Sequence, residues 1–132
     1  MAYARIPDDR VGTVYLIHFS APTSKGRQHY LGWSSDVAKR FARHQSGHGA
    51  EQTRKAVSEG LKLILAQTWR GTKADEKRIK REARWGYACL CPHCDAHDPR
   101  TAKLIHGMGP ATLRVRRAPR AVPGGARATS SR

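Results

Sequence analysis

Apolar and polar positions change rhythm several times along the 132 residues. Val11 to Phe19 is an apolar run rich in β-formers and predicts a buried strand. Ser20 to Gln28, with Pro22, Ser24 and Gly26, predicts a hairpin loop, and His29 to Trp33 a short second strand. Ser34 or Ser35 can cap the helix that follows, because a serine hydroxyl accepts from a free N–H of the first turn. On that helix Val37 and Phe41 are four apart and face the core, with Ala38 and Ala42 keeping the adjacent stripe small. Ser46 to Gly49 breaks the helix, and Glu51 to Glu59 predicts another, ended by Gly60. Leu61, Leu63 and Leu65 alternate in a third strand over Leu61 to Trp69. Thr72 to Arg84 predicts a last helix with a thin apolar face of Ala74, Ile79 and Ala83, and Thr72 with Asp75 imitates a capping box.

This order of elements predicts a small α/β sandwich with a central, mostly antiparallel three-stranded sheet flanked by helices. An N-terminal arm spans 1–10 and the folded domain 11–86. A Cys/His-rich segment follows over 87–109. Residues 110–132 carry six arginines and no acid, so this basic tail is expected to be disordered and to add sequence-independent affinity for DNA.

Charge narrows the partner. Lys and Arg number 25 against 10 Asp and Glu, a formal net charge of +15. That excess calls for a polyanion, first of all nucleic acid. No apolar stretch approaches the roughly 20 residues that span a bilayer, and Met1 to Arg10 has no apolar core of a secretory signal. The expectation is a soluble, cytoplasmic protein with no membrane partner. Cys89, Cys91 and Cys94, an odd and clustered set, argue for free thiols or a metal site rather than a disulfide framework.

Two tyrosine tripeptides concentrate the chemistry. Thr13-Val14-Tyr15 lies in the first strand, and Tyr30-Leu31-Gly32 is followed by a helix with Asp36-Val37, Arg40 and His44. Glu76, with Lys80 one turn on, closes the set. In this order the motifs resemble those of the GIY-YIG nuclease superfamily over roughly Val11 to Arg84. The chain departs from that pattern in having Thr13 where the family has Gly, and it has no clear match to the late asparagine.

The resemblance implies a metal-dependent endonuclease that hydrolyses DNA phosphodiester bonds. Tyr15 and Tyr30 would orient or activate the attacking water, and Arg40 would hold the phosphate with its planar fork. His44 would touch the phosphate or share in proton transfer. Glu76 would bind Mg²⁺ or Mn²⁺, with Glu82 the competing carboxylate. Lys39, Arg43, Lys77 and Lys80 would bind the nucleic acid. Read without the resemblance, Glu76 is a helix residue paired with Lys80, and the tyrosines are sheet packing.

Cys89, Cys91, Cys94 and His97 form a second constellation, a candidate zinc site whose alternative is a cluster of reduced thiols in a surface loop. The competing reading of the whole chain is a nucleic-acid-binding module that does not cut, with or without zinc to stabilise it.

Overall fold

A computed structural model describes residues 7–83, 86–94, 96 and 98–110. Three antiparallel strands form the body of the sheet: β1 (Val11–Phe19), β2 (His29–Ser34) and β3 (Leu63–Thr72). β1 lies in the middle, and the two-residue β4 (Gly109–Pro110) extends the order to β2-β1-β3-β4. The helices are α1 (Val37–Gln45), α2 (Glu51–Ser58), α3 (Lys73–Glu82) and the short α4 (Thr101–Leu104). The expected α/β sandwich with a mostly antiparallel three-stranded sheet is therefore present. Residues 1–6 of the expected arm and 111–132 of the expected tail lie outside the described residues.

β1 forms because a continuous apolar run is what a strand buried on both faces requires. Thr13 to Phe19 are all buried. Val14 and Leu16 pack on one face with Leu31, Trp33, Trp69, Ile79 and Leu104. Tyr15, Ile17 and Phe19 pack on the other with Val37, Ala56 and Leu63.

β3 runs three residues past Trp69, the predicted end of the strand, and starts two after Leu61. Its simple alternation fails at a bulge. Ile17 pairs with Leu65 while Leu16 pairs with Gln67, so Ala66 is one residue too many. An inserted residue reverses which face each later side chain takes. Leu63 and Leu65 thus sit in the Tyr15 cluster, and Trp69 in the Val14 cluster.

The helix details also correct the sequence reading. The N-cap of α1 is Asp36, whose Oδ1 accepts from the Lys39 N–H at 3.1 Å, while Ser34 Oγ accepts from the Asp36 N–H at 2.9 Å. The helix begins at Val37, so Asp36 holds the cap position, and Ser34 bonds the Asp36 N–H just before the helix rather than a free N–H of its first turn. The inward residues of α1 are Val37, the half-buried Phe41 and the fully buried His44, and Ala38 and Ala42 are exposed. The Thr72–Asp75 capping box is complete: Thr72 Oγ1 accepts from the Asp75 N–H at 3.1 Å, and Asp75 Oδ2 accepts from the Thr72 N–H at 2.8 Å. The inner face of α3 is Glu76, Ile79 and Ala83, with Ala74 exposed. A carboxylate holds the place in the helix stripe where the sequence suggested alanine.

Candidate functional site

The residue opposite Tyr15 on β2 is Gly32. A Cβ there would stand 2.5 Å from the Tyr15 hydroxyl and 2.6 Å from its ring carbon Cζ. The absence of a side chain at Gly32 lets the phenol lie across β2 towards α1. There it meets His44, with Tyr15 Oη 2.8 Å from His44 Nε2. His44 Nδ1 in turn lies 2.7 Å from Thr53 Oγ1 on α2, and Thr53 Oγ1 donates to the Ala50 carbonyl at 3.0 Å.

The chain of bonds assigns the tautomer. The Thr53 proton is spent on Ala50, so Thr53 accepts from His44 Nδ1–H. His44 Nε2 is then the bare nitrogen and accepts from the Tyr15 hydroxyl. Burial, with the neighbouring Arg40 and Arg43 cations, pushes the His44 pKa down to about 4. The ring is neutral at pH 7 and can accept a proton. Burial is also the main reason the Tyr15 phenol titrates well above its usual range, with Arg40 opposing the shift.

Tyr30 completes the aromatic group, its ring centroid 6.3 Å from that of Tyr15 and 5.1 Å from that of His44. Lys80 Nζ lies 5.5 Å from the centre of the Tyr30 ring. The same ammonium is 2.9 Å from Glu76 Oε2, and Lys73 Nζ is 3.6 Å from Glu76 Oε1. Burial works against the Lys80 charge, but the bond to Glu76 and its charge outweigh this and raise the Lys80 pKa. Glu76 itself is only 5% exposed and its charge is felt at Tyr15.

The fold therefore brings five separated residues to one place: Tyr15, Tyr30, Arg40, His44 and Glu76. His44 lies fully buried behind Tyr15, so it meets a phosphate only through that phenol. Lys39 and Arg43 are exposed on α1, and Arg43 donates to the His48 carbonyl at 3.3 Å. Lys77 pairs with Asp8 at 2.9 Å on the outer face of α3. Glu82, the competing carboxylate, pairs with Arg78 at 3.6 Å and is exposed.

Sequence reasoning missed Thr53 and Gly49. Nothing in the spacing of Thr53 marks it as the partner of a histidine on another helix. A Cβ at Gly49 would collide with the His44 ring, so this glycine leaves room for that ring. Tyr87 was missed as well. Its phenol pKa is raised by burial, and it feels the charges of Lys80 and Glu76.

The cysteine segment corrects a second expectation. Cys91 and Cys94 do not group with Cys89; they lie against His18 on β1 and His29 on β2. His97 lies outside the described residues. The four donor atoms of His18, His29, Cys91 and Cys94 fall within 4.8 Å of one another, a group that could hold a metal ion. The missed signal was topological: a hairpin whose loop begins after Phe19 and ends before His29 places His18 and His29 opposite one another.

No family model, curated protein or solved structure matches this chain. Among the described residues no helix is long and apolar enough to cross a membrane.

Proposed function

We propose that this protein is a metal-dependent endonuclease that hydrolyses DNA phosphodiester bonds. The reading is supported above all by the Tyr15–His44–Thr53 relay with Arg40 beside it and the buried Glu76 nearby. A buried histidine held in one tautomer against a tyrosine is more than sheet packing requires. The +15 charge supports DNA as the partner. The free thiols fit a cytoplasmic location.

In this mechanism the Tyr15 oxygen accepts a hydrogen bond from the attacking water. The phenol proton lies towards His44 Nε2, so the water can pass its proton to Tyr15 as Tyr15 passes its own to the imidazole. The transfer avoids a free phenolate, which the buried phenol disfavours. Arg40 takes the non-bridging phosphate oxygens through two parallel N–H donors. Tyr30 orients the water or the phosphate.

Glu76 suits Mg²⁺ or Mn²⁺, since a hard ion can be held by one carboxylate and keep most of its waters. A bound ion would neutralise charge developing on the phosphate. The imidazole and thiolate donors of His18, His29, Cys91 and Cys94 suit Zn²⁺ instead. The two metal readings thus fall on different residues.

One observation favours the second reading, a nucleic-acid-binding module that does not cut. Lys80 and Lys73 already pair with Glu76, and an ion there must displace them. The deciding experiment is cleavage of plasmid and branched DNA with Mg²⁺ or Mn²⁺. Glu76→Gln should reduce cleavage to background while binding holds or tightens, since a negative charge is lost. Wild-type turnover in Glu76→Gln would overturn the assignment of Glu76, and tight binding without any wild-type cleavage would favour the binding module.

A further inference from the structure

His18, His29, Cys91 and Cys94 take no part in the proposed cleavage chemistry, yet they come from three separate places in the chain. β1 and β2 supply the histidines as directly paired residues of an antiparallel ladder. The cysteines come from the loop after a single 3₁₀ turn at Ala88–Leu90. In that loop the Cys94 N–H donates to the Cys91 carbonyl at 3.2 Å, and the His93 N–H donates to Cys91 Sγ at 3.4 Å. The first bond folds Cys91-Pro92-His93-Cys94 into a turn that points both sulfurs the same way. The second gives Cys91 Sγ a backbone donor.

Hydrogen bonding among these side chains does not account for the geometry. His18 Nδ1 has His29 Nε2 at 3.3 Å, Cys91 Sγ at 3.4 Å and Cys94 Sγ at 3.7 Å. Cys94 Sγ is also 3.4 Å from His29 Nε2. A ring nitrogen carries one proton or one lone pair, so His18 Nδ1 satisfies one of its three neighbours. A cation at the centre satisfies all of them together. Zn–N bonds of about 2.0–2.1 Å and Zn–S bonds of about 2.3 Å at tetrahedral angles give N–N edges of about 3.3 Å and N–S edges of about 3.6 Å. The four observed separations, 3.3, 3.4, 3.4 and 3.7 Å, are those edges within 0.2 Å.

We propose that His18, His29, Cys91 and Cys94 are the complete ligand set of a closed, structural Zn²⁺ site that fastens the 86–110 segment to the β1–β2 hairpin. Two imidazoles and two thiolates fill a tetrahedron and leave no open position for water or substrate. His18 and Cys91 are buried, so the ion is screened from solvent. Leu90 and Leu104 are buried in the Val14 cluster, with Tyr87, Ile105 and Met108 packed against it, so the segment has an apolar seat on the sheet. Metal ligation adds a second tie, between the Cys91–Cys94 turn and the β1–β2 hairpin.

The test uses the full chain, without a histidine tag, purified in the absence of chelators. Elemental analysis should give one zinc per chain. Cys89→Ser should keep it, whereas Cys94→Ser and His29→Ala should lose it. Since these last variants can fail to fold, two measurements on the unaltered sequence accompany them. Co²⁺-loaded protein should show the visible absorption of a tetrahedral ion with thiolate charge transfer. In the folded zinc form a thiol reagent should modify Cys89 first, with Cys91 and Cys94 protected until a chelator is added. Absence of zinc, loss of zinc in Cys89→Ser, or equal reactivity of all three thiols would each overturn the proposal. None of these readouts depends on DNA cleavage.

Discussion

Two side-chain clusters hang on the same β1–β2 hairpin and differ in nearly every chemical respect. His29 and Tyr30 are neighbours in sequence, and strand alternation sends them to opposite faces. Around Tyr15 and Tyr30 the donors are oxygen and guanidinium, with Arg40, Lys73 and Lys80 close by. Around His18 and His29 the donors are imidazole nitrogen and sulfur. The first group suits a hard ion and a phosphate; the second suits a soft ion and no exchangeable ligand. One short hairpin can thus carry a candidate reaction site and a candidate structural site, because its period of two keeps their donors apart. Substitutions that disturb one cluster and leave the other intact are the means of breaking that separation.

The largest effect is expected at Arg40. Arg40→Ala should lower single-turnover cleavage by about 10²–10³-fold, the loss typical of removing one donor from a developing oxyanion. Zinc content and circular dichroism should not change. Lys39→Ala and Arg43→Ala should instead weaken binding and make the slope of log K against log salt about 0.9 less steep for each lost phosphate contact. Equal effects of all three on rate and on binding would remove Arg40 from the reacting phosphate.

Gly32→Ala is the next test. Its Cβ would stand 2.5 Å from the Tyr15 hydroxyl, and the strand backbone leaves the phenol little freedom to retreat. Overpacking of this kind costs about 1–3 kcal/mol, visible in urea unfolding. It should also move Tyr15 off His44 and slow cleavage. Leu31 separates Gly32 from the Tyr30 and His29 positions, so zinc stoichiometry should hold at the wild-type value. A joint loss of zinc and relay would mean that the hairpin transmits strain between the two clusters.

How much of this was legible from the residues depends on how local each cause is. β1 was readable to its last residue, because burial on both faces demands the continuous apolar run that Val11–Phe19 displays. The Thr72–Asp75 box was readable because both partners lie within one turn. The course of β3 was not: the bulge at Ala66 reverses its faces, and nothing in Leu65-Ala66-Gln67 declares an extra residue. The burial of Glu76 was hidden for a related reason, since a carboxylate on an inner stripe reads as solvent-facing until the packing of α3 is known. Among the site residues, Tyr15, Tyr30, Arg40, His44 and Glu76 could be named from their motifs, but the His44–Thr53 contact between α1 and α2 could not. The cysteine turn announced two soft donors. The other two came from the strands, where pairing rather than spacing brings His18 to His29.

The smallest expected effect is the part of the pH dependence that His44 contributes. Its folded pKa lies at about 4, below the ordinary 6.5, because burial penalises the charged ring. The unfolded chain therefore binds a proton between these values that the native chain refuses. Stability from this residue is complete above the unfolded pKa and is lost as pH falls from about 6.5 towards 4. Between pH 7 and pH 5 the unfolding free energy should drop by on the order of 1–2 kcal/mol on this account. His44→Gln keeps an acceptor for Tyr15 and removes the titration. Its baseline stability should be lower, but its decline from pH 7 to pH 5 should be shallower than that of wild type, measured by urea unfolding at each pH. Parallel declines in the two proteins would mean that the fold leaves the His44 pKa where the unfolded chain has it, and a steeper decline in His44→Gln would mean that the fold holds the imidazolium. In the second case the Tyr15 hydroxyl would have no acceptor at His44 Nε2, and the proposed direction of the relay would be wrong.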